Sequence, residues 1–155
     1  MQRGAQMAVF IDRVMFNILV KDLTTSAAFY RQLADFEQTY TSDWYIVMTA
    51  PGLAGLEIGL IDQVSEFTPR SAGGIPAGGF LTLVVDDVFA AYQRAGELGV
   101  EQIEPPTAQA YGQTRALIRD PNGIVIDLST PTDALPVGLS GGGTPNPEDP
   151  PVDQQ

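Results

Sequence analysis

Glu57 and Asp127 are the two carboxylates that strand alternation places on a mixed apolar and polar sheet face, where a carboxylate can act as a general base or meet a cationic ligand. The chain has no His and no Cys. That excludes Ser-His-Asp chemistry, imidazole-ligated metals, thiolate zinc sites, disulfides and cysteine nucleophiles. Gly73-Gly74 and Gly78-Gly79 punctuate a linker and do not form a phosphate loop, because no GxxxxGK[ST] or GxGxxG opens a helix.

Side chains alternate across a strand, so each apolar run assigns its residues to two faces. In residues 14–20, Met15, Asn17 and Leu19 oppose Phe16, Ile18 and Val20. In 56–61, Glu57 and Gly59 oppose Leu56, Ile58 and Leu60; in 80–85, Phe80, Thr82 and Val84 oppose Leu81, Leu83 and Val85. In 124–129, Val125 and Asp127 oppose Ile124, Ile126 and Leu128. The aliphatic faces suit burial under helices. The mixed faces carry the few placed polar groups that a small-molecule pocket requires. Met15, Met48 and Phe80 can form an adaptable apolar wall, or equally fill space as ordinary packing. Arg115 has three uses open to it: pairing with Asp127, which ranks first, holding an anionic ligand group, or lying in water. Both carboxylates can also be merely solvated.

The elements that carry these residues occur twice. NILVKDLTTSAAFYR (residues 17–31) aligns with TLVVDDVFAAYQR (82–94) at an offset near 64, and the tripeptides Phe36-Glu37-Gln38 and Val100-Glu101-Gln102 follow in turn. Two copies are too few for a solenoid and point to paired half-domains. The first half predicts a strand at 14–20, a helix over 24–34 with Thr24, Thr25 or Ser26 as N-cap, and strands at 36–42, 45–50 and 56–61. The second predicts a strand at 80–85, a helix over 88–98 ended by Gly99, and strands at 100–104, 113–119 and 124–129. Asp120-Pro121-Asn122-Gly123 is the turn joining the last pair. The expected organisation is an extension at 1–12, modules at 13–62 and 80–132, a linker at 63–79, and a flexible acidic Gly/Pro-rich tail at 133–155.

Composition sets the remaining limits. The 155 residues carry 8 Lys or Arg against 19 Asp or Glu, a net charge of −11. Asp133, Glu148, Asp149 and Asp153 supply four of those negatives, which leaves −7 on residues 1–132. An isoelectric point near 4.1 disfavours nucleic acid and anionic lipid as partners and raises the local concentration of cations. No signal-peptide or membrane-spanning stretch is present, so a cytoplasmic location is expected. Translation can start at Met1 or at Met7.

The two half-motifs, in order and with the right elements between them, resemble the vicinal-oxygen-chelate superfamily of glyoxalases, bleomycin-resistance proteins and extradiol dioxygenases. The resemblance covers about 13–130. Its most specific part is YGQTRALIRDPNGIVIDL (111–128), and VKDLTTSAAFYRQL (20–33) resembles the opening motif. It implies an α+β fold of two βαβββ modules whose curved mixed sheets wrap a small-molecule cleft, in a homodimer. The metal ligands of such enzymes, commonly His, Glu, His and Glu, fall on Met15, Glu57, Phe80 and Asp127. Both imidazoles are replaced by apolar side chains, so no metal or other cofactor is expected, and metal-dependent glyoxalase or dioxygenase activity is not expected either. In drug-binding relatives aromatic rings flank the cleft, a use open here to Tyr111 and to Trp44, which otherwise serves hairpin or dimer packing.

The expected function is binding or sequestration of a small, partly aromatic, neutral or cationic molecule, of the antibiotic-resistance type, at Met15, Asn17, Trp44, Met48, Glu57, Phe80, Thr82, Tyr111, Arg115 and Asp127. One alternative is a metal-independent isomerase or lyase using Glu57 or Asp127 as base. Another is a protein-interaction module with a vestigial cleft.

Overall fold

The Asp that follows each half's first strand starts its helix. Asp22 accepts a hydrogen bond from the Thr25 amide at 2.8 Å and caps α1 (Leu23–Ala34); Asp87 accepts from Phe89 and Ala90 at 3.0 and 3.1 Å and caps α2 (Val88–Glu97). The hydroxyls of Thr24, Thr25 and Ser26 therefore do not cap α1. A carboxylate one residue ahead of the helix satisfies the first free amides and also faces the positive end of the peptide dipoles. Its amide bonds hold the Asp22 carboxyl below the ordinary range.

The computed structural model describes residues 9–52 and 56–136. The remaining strands are β1 (Met15–Val20), β2 (Glu37–Thr41), β3 (Tyr45–Thr49), β4 (Glu57–Asp62), β5 (Leu81–Val84), β6 (Gln102–Ala108), β7 (Gln113–Arg119) and β8 (Val125–Pro131). They form two four-stranded mixed sheets of one topology, β1-β4-β3-β2 and β5-β8-β7-β6, with the parallel pair first in each. This is the α+β pattern of two βαβββ modules that the repeat predicts. The sixth strand begins later and runs further than expected, with Pro105 and Pro106 inside it. Proline lacks the ladder N–H, and the register to β7 shifts between Glu104 and Thr107. As an edge strand β6 tolerates both.

Each helix covers one face of its sheet. The buried stripe of α1 (Ala27, Phe29, Tyr30, Leu33) meets Ile18, Val20, Ile46, Met48, Ile58 and Leu60. That of α2 (Val88, Ala91, Ala95) meets Ala116, Ile118, Ile126 and Leu128. The two sets join in one core, and α1 packs against α2.

The β7–β8 turn adds a polar link between the modules. Tyr30 donates its phenol proton to Asp120 at 2.9 Å in a buried site, and Asn122 donates to Ser26 at 3.0 Å while accepting from the Lys21 amide. Burial, then the neighbouring Asp120 carboxylate, pushes the Tyr30 phenol well above its ordinary range. Gly123 closes this turn at φ 93°, a conformation that suits a residue without Cβ. Leu135, read from sequence as tail, is buried in the core; the rest of that segment from 137 onward, like residues 1–8, lies outside the described residues.

Candidate functional site

The faces turned away from the helices follow from the strand registers, since cross-strand partners share a face. In the first sheet Met15, Glu57 and Thr49 form one row, Asn17, Gly59 and Val47 the next, and Leu19, Ile61 and Tyr45 a third. In the second, Thr82, Asp127 and Leu117 form one row, and Val84, Ser129 and Arg115 the next.

On the first face Glu57 is not a free carboxylate. Arg13, just ahead of β1, reaches it with two parallel hydrogen bonds, Nε at 2.5 Å and Nη2 at 2.8 Å. Such a fork is the strongest form of carboxylate pairing. The Arg13 contact holds the Glu57 carboxyl below its ordinary range, and Glu57 in turn raises Arg13. A carboxylate so held is a weak proton acceptor.

Beside this pair Tyr45 donates to Asn17 Oδ1 at 2.7 Å, with the Met15 sulfur 3.6 Å from the same phenol oxygen. Burial raises the Tyr45 phenol. Gly59 lies beneath them: a Cβ there would collide with Asn17 Oδ1 and the Tyr45 hydroxyl. The result is a neutral array of ion pair, phenol, carboxamide and thioether over a glycine floor.

On the second face Asp127 is buried and accepts from two hydroxyls, Ser129 at 2.5 Å and Thr82 at 3.2 Å. Arg115 does not pair with it. The arginine turns outward to Glu104 across the sheet, at 3.4 Å, because the hydroxyls already occupy both carboxylate oxygens. Phe80 and Val84 stand 65% and 66% exposed, so this face is open in the single chain. The hydrogen bonds of Glu57 and of Asp127 each stay within their own module.

Three further candidates sit elsewhere. Met48 is fully buried, paired in register with Ile58 beneath α1. It is core and not pocket wall, since the parity of β3 sends Tyr45 and Val47 to the open face instead. Trp44 stacks on Tyr45 (centroids 5.4 Å apart) and tilts against Phe67 (4.5 Å), so it braces the rim of the first face. Tyr111, at the β6–β7 turn, is 62% exposed. Two cavities of about 270 and 240 Å³ lie on the helix side, the first between Asp35, just past α1, and Arg94 of α2, the second between α1 and the β2–β3 hairpin.

Sequence reading missed Arg13, Tyr45, Ser129 and Gln113. Parity held the signal for all four. Residues 13, 15 and 17 share a face, as do 45, 47 and 49, 113 and 115, and 127 and 129.

The four positions that would hold a metal do not form a donor set. A thioether and a phenyl ring stand where imidazoles would be needed, Glu57 is engaged by Arg13, and Asp127 is engaged by two hydroxyls. Among the described residues no group of three or more acidic, His or Cys side chains converges as a cation site. No described helix is long and apolar enough to cross a membrane.

The family model described as Glyoxalase/Bleomycin resistance protein/Dioxygenase superfamily matches residues 11–128. Solved structures agree in fold. A member of the glyoxalase/bleomycin resistance protein/dioxygenase superfamily from Sphaerobacter thermophilus superposes with a TM-score of 0.61 at 24% identity, covering 81% of this chain and 99% of that one. A glyoxalase-related enzyme from Fulvimarina pelagi gives 0.64 at 17%, over 77% and 88%. A family enzyme from Burkholderia phytofirmans gives 0.60 at 22%, over 76% and 96%. At these identities the likeness speaks for fold alone. No curated protein matches.

Proposed function

The chain belongs to the Glyoxalase/Bleomycin resistance protein/Dioxygenase superfamily, and from that membership we propose that it is a metal-independent cytoplasmic protein that binds and sequesters a small, partly aromatic molecule on its open sheet faces, in the manner of an antibiotic-resistance protein. The observation that carries this reading is the engagement of both candidate bases: Glu57 is forked by Arg13, and Asp127 is hydroxyl-capped. Side chains so committed position a ligand better than they move a proton.

The neutral Arg13–Glu57 pair also shifts the expected ligand. Arg13 neutralises Glu57, so attraction of cations to the first face rests on exposed Glu37, which shares the Thr49–Glu57 row, and on the overall charge of −11. The open rows around Phe80, Val84 and Asn17 are each half of a cleft, and a second copy of the chain supplies the other wall. The protein is therefore proposed to act as a homodimer with its modules paired between chains.

A calorimetric screen of planar cationic and neutral drugs, with and without EDTA, tests this. Binding that is indifferent to EDTA and lost in Gly59→Leu, which fills the first face, is the expected result. Binding that requires an added divalent metal, or that survives Gly59→Leu unchanged, overturns it.

A further inference from the structure

We infer that the open face of β7 carries a clamp for a neutral amide edge, a carbonyl oxygen beside an N–H, formed by Arg115 Nε–H and Gln113 Oε1. The inference rests on the small-molecule reading above and narrows the ligand's chemistry. Both atoms are buried, and neither has a hydrogen-bond partner. Native structures leave few buried polar atoms unpaired, because each keeps its full desolvation cost. Two on one strand, two residues apart, project to one face. That face is the one carrying Asp127 and Ser129.

The other arginines on the open sheet faces show what is unusual. Arg13 Nε faces Glu57, and Arg119 Nε lies 3.0 Å from Glu101. Arg115 Nε faces no carboxylate, and its Nη2 contact to Glu104 is long at 3.4 Å. That loose contact leaves the fork free to turn toward a ligand entering over the exposed Val84 and Thr82.

Charge then selects the class. Glu104 already offsets the guanidinium, and Asp127 lies on the same face, so an anion meets net repulsion. An ammonium group has no acceptor to give Arg115. A neutral amide satisfies both atoms at once, its carbonyl accepting from Arg115 Nε–H and its N–H donating to Gln113 Oε1.

The test uses the full-length ¹⁵N-labelled protein titrated with benzamide, benzoate and benzylammonium, three probes with one ring and different polar ends. Benzamide is expected to move the Arg115 Nε–H and Gln113 resonances. Gln113→Leu should weaken benzamide about tenfold, the loss of one hydrogen bond, and Gln113→Glu, whose carboxylate pairs with Arg115 and occupies the clamp, should weaken it at least as much. Benzoate or benzylammonium moving those resonances as strongly overturns the amide assignment. Shifts confined to Asn17 and Tyr45 overturn the clamp and leave small-molecule binding standing. Silence from all three probes at both faces counts against both. Sedimentation of ligand-free Gln113→Leu supplies the last arm: a changed monomer–dimer balance would overturn the clamp by showing that these atoms face a second copy.

Discussion

The two modules share a topology and differ in how completely they satisfy their open faces. In the first, every polar group around Gly59 has a close partner: Arg13 with Glu57, and Tyr45 with Asn17. In the second, Asp127 is well capped, yet Arg115 and Gln113 on the neighbouring strand each hold a buried atom without one. The helix sides show no such contrast, since both bury their hydrophobic side chains in one shared core. Duplicated modules thus keep their cores alike and diverge where no helix covers them. A core position is constrained by close packing from all sides, while an open-face position is constrained only by its immediate polar neighbours.

Three substitutions probe that contrast. The largest effect is expected from Met48→Ala, which empties a fully buried site beneath α1. It should destabilise the fold by about 2–5 kcal/mol in urea unfolding and leave the affinity of the folded fraction unchanged. A loss of affinity without loss of stability would return Met48 to the pocket wall.

Next is Tyr30→Phe, which removes the donor to Asp120 and leaves the polar link between the modules to Asn122 with Ser26 and Lys21. A cost of about 1–3 kcal/mol is expected, with fluorescence and circular dichroism still reporting one transition. Two separated transitions would mean that the modules are held together mainly by this bond.

The smallest effect is expected from Glu57→Gln, on the face already complete. Because Arg13 depresses the folded-state value of Glu57, the pair stabilises the fold above the unfolded value of 4.5 and is lost as pH falls through the depressed value. The midpoint difference between wild type and variant should therefore shrink as pH falls from 7 through the carboxylate range. Salt should reduce it at pH 7, as for any exposed pair.

Much of the fold was legible because the repeat wrote it twice. The Asp after each first strand, the Ala-Ala-aromatic helix and the final turn all occupy the positions expected. Even so, the hydroxyls of Thr24, Thr25 and Ser26 mislead about the cap of α1, for which the repeated Asp22 and Asp87 are the better signal. The site was less legible, for three physical reasons. Alternation tells which residues share a face, but only the register to Ile58 tells that Met48 lies on the covered one. The Arg115–Glu104 pairing depends on register shifts along β6, on both sides of Glu104, which no periodicity encodes. And whether Glu57 and Asp127 meet depends on how the modules dock, a matter of helix packing on which strand patterns are silent.

Pro105 and Pro106 set a direction of growth. Two prolines in a row leave this edge strand without two backbone donors, at a point where its register to β7 also shifts. The outer rim of β6 is thereby blunted for strand addition, much as gatekeeper residues blunt sheet edges. A β-ribbon that extends the second sheet meets less obstruction at β5, the other edge. Protection from runaway polymerisation is thus built into one side of that sheet, and the opposite side remains the place where recruitment of another strand is still permitted.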